Sequence, residues 1–179
     1  MRDRYLSAPD FETMLASATK HVELWHAIWQ RAEVSDEHVR RVAALGSALH
    51  LLVLSADWCG DAVNIVPVVA RLAELSPNAD LRVLDRDDNL DLMDGHLTGT
   101  SRSIPVVMAL DADFVERGWW GPRPAPLQQF VLGDGQRLEK AQRYREVRKW
   151  YARDRGVTTV SEIVAMLESV TDARRAAGR

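Results

Sequence analysis

The strongest hydrophobic signal in the chain is the apolar run from Leu51 to Leu54, and the segment around it, residues 49–55, has the length of a buried strand. A helical pattern follows almost at once, over residues 59–75. Upstream, apolar residues recur at helical spacing over residues 9–32, which predicts one amphipathic helix, and residues 35–45 predict a second. The pattern therefore places two helices before the buried strand and a third helix after it.

The pattern downstream alternates again between strands and helices. Residues 81–85 predict a second core strand, and residues 89–97 predict a short helix. Residues 104–110 and 114–118 predict two further strands, and the short turn between them indicates an antiparallel hairpin. The predicted order is β-α-β-α-β-β.

The region after residue 121 has a different character. Three alternating prolines predict an extended connection over residues 122–126, and residues 136–155 predict a long charged helix. The capping-box spacing of Thr159 and Glu162 predicts a last helix, which continues to about Val170. One of these two helices is expected to cover the sheet.

Cys59 is the only cysteine in the chain, and it lies where the first strand gives way to a helix. Unpaired backbone N–H groups and the positive end of the helix dipole favour the thiolate there, and the thiolate is the reactive form. Asp57 and Asp61 flank the cysteine and oppose its ionisation. We therefore expect a pKa below that of a free thiol, but well above that of strong oxidants. The alternative is a buried structural cysteine.

Within residues 48–121, Trp58, Cys59 and Gly60 follow a strand, Pro67 lies inside the next helix, and Ile104-Pro105 precedes a later strand. In these three features the segment resembles the thioredoxin family. The resemblance implies an α/β, thioredoxin-like fold: a central mixed β-sheet flanked by helices, with extra N-terminal and C-terminal helices.

The resemblance also implies an organisation of the chain and a set of roles. Residues 1–47 would be an N-terminal helical extension, residues 48–135 the thioredoxin-like core, and residues 136–179 C-terminal helices packing on it. Cys59 would be the nucleophile in an active-site motif completed by Trp58, Gly60, Asp61 and Ala62. The Pro105 loop would lie against the cysteine after a cis peptide bond, and the main chain of Ser103 and Ile104 would orient the bound partner.

The departures from the family pattern limit the chemistry. Ala62 stands in place of the second cysteine, Asp61 in place of the proline between the two cysteines, and Val53 in place of a buried carboxylate. A dithiol–disulfide cycle within this chain is therefore excluded. An engineered replacement of cysteine at position 62 would give the same sequence.

Two further groups of residues have a structural and a functional interpretation. Trp119, Trp120 and Arg123, with Arg102, are candidates for a groove beside the cysteine, although packing at the sheet edge explains the two tryptophans more simply. The alternating acids of residues 85–91 suggest a calcium loop but lack its glycine and its terminal glutamate, so helix capping is favoured. The histidines show no metal-ligand spacing, and we predict no metal and no cofactor.

Bulk properties narrow the class of protein. A net charge of −3 gives no reason to expect nucleic acid or anionic membranes as partners. One cysteine argues against a disulfide-built secreted protein, no apolar run approaches the about 18 residues of a membrane span, and the first residues lack a signal-peptide pattern. We expect a cytoplasmic protein of bacterial type.

These observations lead to three functional hypotheses. The leading one is a monothiol thioredoxin-like protein of thiol–disulfide metabolism, whose Cys59 forms mixed disulfides with proteins or small thiols. The second is a redox-inactive binding module that uses the same groove. The third is a glutathione-linked transferase or reductase, with Arg102 and Arg123 as candidate sources of charge. Whether the chain is an enzyme, and in what oligomeric state, stays open at this stage.

Overall fold

The computed structural model describes residues 1–177 and is built around a four-stranded mixed sheet. The strands are β1 (Leu49–Ser55), β2 (Ala79–Asp85), β3 (Val106–Leu110) and β4 (Glu116–Trp120), in the order β2-β1-β3-β4. β1 pairs in parallel with β2, and β3 pairs antiparallel with both β1 and β4. The predicted α/β class, with a central mixed sheet and a final antiparallel hairpin, is confirmed.

Helices surround this sheet, and they are numbered in chain order. Those that the structure describes are α1 (Arg2–Ser7), α2 (Phe11–Ser17), α3 (Val22–Arg31), α4 (Asp36–Ala43), α5 (Ala62–Leu75), α6 (Leu90–Asp94), α7 (Ala125–Leu132), α8 (Lys140–Asp154) and α9 (Val157–Ala177). A 3-10 turn, Asp134–Arg137, separates α7 from α8. None of these helices combines the length and the apolar character that a membrane span requires.

The core lies on both faces of β1 and β3. Both faces of β1 are covered, so its side chains from Leu51 to Leu54 have no exposed surface. This is why the strand reads as a continuous apolar run and not as an alternating one. Val53 is fully buried in this core, so the position of the family's carboxylate is apolar here.

The N-terminal region differs from the single helix predicted over residues 9–32. The structure has α1, then α2 with Asp10 as its N-cap, then a break before α3. The break occurs because the Asp57 carboxylate accepts the backbone N–H groups of Thr19 and Lys20, which a continuous helix would use internally. The apolar residues from Phe11 to Trp29 recur at helical intervals, so the sequence pattern alone does not reveal the break.

The C-terminal region contains two further differences. The proline-rich segment is not wholly extended, since Pro124 is the N-cap of α7 and Pro126 lies in its first turn, where proline is tolerated. Thr159 does not cap a helix, because α9 already begins at Val157 and buries Thr159. Glu162 instead accepts hydrogen bonds from the Trp120 indole at 2.8 Å and from the backbone N–H of Ala125 at 2.9 Å.

Of the two C-terminal helices, α9 covers the sheet. It packs against α4, α5 and β4, whereas α8 buries mainly Tyr151. Val170 approaches Gly118 of β4 so closely that a Cβ there would lie 2.8 Å from it. The predicted C-terminal region 136–179 ends beyond Ala177, and its last two residues lie outside the described part of the chain.

The end of β4 is packed directly onto the loop that carries Pro105. Gly121 has a φ of 145°, and a Cβ at this position would lie 2.3 Å from the carbonyl oxygen of Pro105. Only glycine allows this approach, because both the backbone angle and the contact exclude a side chain. Gly121 therefore couples β4 to the loop beside the cysteine.

Replacing Gly121 with alanine is expected to lower the free energy of unfolding by about 1–3 kcal/mol, because the Pro105 backbone would have to move. Gly60→Ala is the matched control, since a Cβ at Gly60 has no heavy atom within 4 Å. Urea unfolding of both variants measures the difference. Equal stabilities for the two variants would contradict the proposed close approach.

Candidate active site

Cys59 lies in the turn between β1 and α5, and its sulfur contacts two backbone groups. The Sγ accepts the backbone N–H of Ala62 at 3.5 Å, and the thiol donates to the Ile104 carbonyl at 3.5 Å. The Ile104–Pro105 peptide bond is cis. Only 8% of the Cys59 surface is exposed. The Pro105 loop and the start of α5 therefore enclose the thiol.

Trp58 lies at the surface beside this buried thiol, and Arg86 covers it. The indole is 46% exposed, and the Arg86 guanidinium lies 4.9 Å from its ring centroid. Arg86 also donates to the Arg102 carbonyl at 3.1 Å. Arg86 therefore connects the tryptophan to the segment before Ser103. Sequence analysis missed Arg86, since a charged residue just after a strand carries no distinctive signal.

Asp61 is held by two side chains from distant parts of the chain. Arg123 Nη2 donates to Asp61 Oδ2 at 2.5 Å, and the Tyr151 hydroxyl donates to Asp61 Oδ1 at 2.8 Å. Arg123 Nη1 also donates to the Gln128 side chain at 3.0 Å. Tyr151 belongs to α8, 90 residues after Asp61, and nothing in the sequence distinguishes it from the other residues of that charged helix.

The four groove candidates bond to different parts of the chain. Arg123 reaches the active-site turn, whereas Arg102 forms an exposed, two-bond ion pair with Asp94, at 2.6 and 2.8 Å. Trp119 packs edge-on against His96, and Trp120 bonds to α9 through Glu162. Of these four residues, Arg123 is thus the one that the fold brings to Asp61.

Asp57 does not act on the thiol in the way that its position in the sequence suggests. Its Oδ2 accepts the backbone N–H groups of Thr19 and Lys20, at 2.7 and 3.0 Å, and the Thr19 hydroxyl at 3.0 Å. Its backbone carbonyl accepts the indole N–H of the buried Trp25 at 3.0 Å. Burial opposes its ionisation, but these hydrogen bonds outweigh that cost and hold the pKa of Asp57 below its usual value. Asp57 therefore anchors the turn to the segment between α2 and α3.

The prediction that the Cys59 pKa lies below that of a free thiol is wrong. Burial is the largest influence and raises the pKa of Cys59, and the charge of Asp61 raises it further. The backbone N–H groups of Ala62 and Asp61, together with the positive charge of Arg123, act in the opposite direction without cancelling it. The sequence indicated the helix start correctly but not the depth of burial.

The acids of the segment after β2 form a turn and an ion pair and not the expected helix cap, since α6 begins after Asn89 without a side-chain cap. Asp85 accepts the backbone N–H of Asp87 at 2.7 Å, and Asp91 pairs with Arg4 of α1 at 2.8 Å. Among the residues that the structure describes, no three His, Cys, Asp or Glu side chains are grouped to hold a metal ion.

Comparison with known proteins places this geometry in a family. A family model described as thioredoxin matches residues 8–153, which is most of the chain, so the chain belongs to the thioredoxin-like proteins. None of the curated proteins is similar enough to count as a match.

Two solved structures share the fold. The first is a protein of unknown function from Pseudomonas aeruginosa, with a TM-score of 0.73 and 19% identity, covering 92% of this chain and 95% of its own. The second is an HIV epitope scaffold, with a TM-score of 0.72 and 16% identity, covering 94% of this chain and 97% of its own. At these identities the likeness concerns the fold alone.

Replacing Asp57 with asparagine is expected to cost about 1–2 kcal/mol of stability at neutral pH, because hydrogen bonds to a charged acceptor are lost. The folded-state pKa of Asp57 is depressed, so its contribution is present above the unfolded-state value of about 3.9 and is lost as pH falls through the folded value. Urea unfolding at neutral and acidic pH should therefore show the difference from wild type shrinking in acid. Asp134→Asn, at an exposed position, is the control. A difference independent of pH would contradict the role of the charge.

The thiol of Cys59 is expected to titrate above a free thiol, so alkylation by iodoacetamide at neutral pH should be slow and should accelerate as pH rises. The same protein in denaturant provides the reference, because Cys59 is the only cysteine and all label reports on it. A folded-state pKa at or below the denatured-state value would contradict the dominant effect of burial.

Proposed function

We propose that this protein carries out monothiol thiol–disulfide exchange, with Cys59 as the nucleophile. The observation that supports this best is the placement of the Cys59 sulfur between the Ala62 N–H and the Ile104 carbonyl. The sulfur thus lies at a helix start and against the Pro105 loop, next to the exposed Trp58. A partner disulfide that approaches along this loop meets the sulfur and a backbone segment able to orient it.

The proposed reaction has two balanced steps. The Cys59 thiolate attacks one sulfur of a partner disulfide, a new S–S bond forms, and the other partner sulfur leaves as a thiolate that takes up a proton. An external thiol, which is deprotonated as it reacts, then attacks the partner's sulfur in the mixed disulfide, forms a new S–S bond with it and releases Cys59 as a thiolate that is reprotonated. The external thiol is required because Ala62 cannot resolve the mixed disulfide from within the chain.

The raised pKa of Cys59 shapes this reaction without preventing it. The thiolate fraction is small at neutral pH, so attack is slow, but a thiolate of high pKa is intrinsically the stronger nucleophile. A thiol of high pKa is also a poor leaving group, so resolution of a mixed disulfide at Cys59 is slow. The site is therefore suited to holding a mixed disulfide more than to rapid turnover.

We extend the proposal to partners and location. The partners are proteins or small thiols and disulfides, with the main chain of Ser103 and Ile104 pairing with the partner's backbone. The bacterial cytoplasm suits this reaction because it supplies reducing thiols, and a chain with one cysteine needs no oxidising compartment. The net charge of −3 offers no attraction for nucleic acid or anionic membranes.

A redox-inactive binding module is the second candidate, and the burial of Cys59 favours it. A thiol that is enclosed and protonated behaves as a small apolar side chain. The glutathione-linked alternative has less support, since Arg102 and Arg123 both pair with carboxylates of this chain and would have to exchange partners to bind an anionic thiol.

The test is adduct formation with a small disulfide, with glutathione disulfide as the probe. The folded protein should gain one glutathione by mass spectrometry, faster at higher pH, and dithiothreitol should release it. Cys59→Ser is the control and should gain nothing. If the folded protein forms no adduct where the denatured protein reacts, then exchange is excluded and the binding module is favoured.

A further inference from the structure

The Asp61 carboxylate binds two side chains, the Arg123 guanidinium and the Tyr151 hydroxyl, two residues after the thiol. We propose that Arg123 and Tyr151 are positioning residues that control the protonation of Cys59. The Arg123 guanidinium favours the thiolate. Both residues also hold the Asp61 carboxylate in place, and this carboxylate opposes the thiolate. This inference deepens the proposed exchange reaction and rests on it for its role in the cell.

The geometry commits both oxygens of Asp61. Oδ2 receives Arg123 at 2.5 Å and Oδ1 receives Tyr151 at 2.8 Å, and the Asp61 side chain is only 13% exposed. Asp61 directly precedes α5 and lies two residues after Cys59. Its carboxylate therefore has a fixed place beside the sulfur, in a setting where water screens charges poorly.

One nitrogen of the Arg123 guanidinium is buried without a hydrogen-bond partner. Its two Nη atoms bond to Asp61 and Gln128, while its Nε is buried without a hydrogen-bond partner. Burial alone would lower the pKa of Arg123, but Asp61 raises it and keeps the guanidinium charged. A buried donor without a partner is costly, and a nearby anion would relieve that cost.

The charged and titratable groups acting on Cys59 can be named. Asp61 disfavours its thiolate, and Arg123 favours it. Burial and the neighbouring Asp61 raise the pKa of Tyr151, so its phenol stays a neutral donor. Asp57 directs its carboxylate toward Thr19 and Lys20. The balance at the thiol therefore depends on one cation and one anion that also pair with each other.

This arrangement makes a prediction that a purely structural ion pair would not make. Asp61→Asn and Arg123→Gln both break the same contact, so loss of structure alone would shift the pKa of Cys59 in the same direction in both variants. Control by charge would shift this pKa in opposite directions. Asp61→Asn should lower the apparent pKa of Cys59, and Arg123→Gln should raise it.

The experiment is the pH dependence of iodoacetamide alkylation in the full-length protein. A change of about one pKa unit in each variant alters the thiolate fraction at neutral pH by about tenfold. The double variant Asp61→Asn, Arg123→Gln should return close to the wild-type profile, because both opposing charges are gone. Tyr151→Phe should raise the pKa, since the carboxylate loses a donor that disperses its charge.

Controls separate charge from folding. Arg41→Gln breaks the pair that joins α4 to α9 through Glu168 and should leave the thiol titration unchanged. If Arg123→Gln does not fold, Arg123→Lys keeps the charge, and its profile should stay nearer to wild type than that of Asp61→Asn. Shifts of Asp61→Asn and Arg123→Gln in the same direction, or an unchanged profile in Asp61→Asn, would overturn the inference. Absence of a glutathione adduct would instead overturn the proposed exchange, since alkylation does not depend on it.

Discussion

The burial of the Cys59 thiol, in the turn between β1 and α5, is the constraint on which the rest of the site depends. Polar groups that are drawn below the surface with it need partners, because a buried polar group without one costs several kcal/mol. Here the partners come from three directions: Thr19 and Lys20 bind Asp57, Arg123 and Tyr151 bind Asp61, and the Ile104 carbonyl accepts the Cys59 thiol. The N-terminal and C-terminal helical segments therefore complete the turn around Cys59.

This arrangement also explains why a cysteine at a helix start is not acidic. The helix start supplies N–H groups and a partial positive charge, which at an exposed site are worth only about 0.3–1 kcal/mol. Enclosing the sulfur against the Pro105 loop removes water from it, and Asp61 adds a negative charge nearby. Desolvation therefore outweighs the helix, and the N–H groups of Ala62 and Asp61, together with Arg123, supply what stabilisation of the anion remains.

Much of the central sheet could be predicted from the pattern of residues. The strand at residues 49–55 was predicted with its observed bounds, because both faces of β1 are covered and its central residues, from Leu51 to Leu54, are all apolar. The prediction of a single helix over residues 9–32 was wrong, because the cause of the break lies far away in the sequence. Asp57 binds Thr19 and Lys20, which precede it by 38 and 37 residues, and a local pattern carries no information about such bonds. The proline-rich segment concealed α7 because proline occurs both in extended connections and at helix starts.

The sequence by itself determined the fold class, the strand that leads to Cys59, the absence of a second thiol, and the positions at which the chain departs from the thioredoxin pattern. These properties follow from residue identity and short-range periodicity. Only the tertiary structure decided how deeply the thiol is buried, that Asp57 turns away from it, and that Tyr151 and Arg123 meet at Asp61. Burial and charge pairing arise from contacts between residues far apart in the chain, and it is these contacts that control the chemistry of the single cysteine.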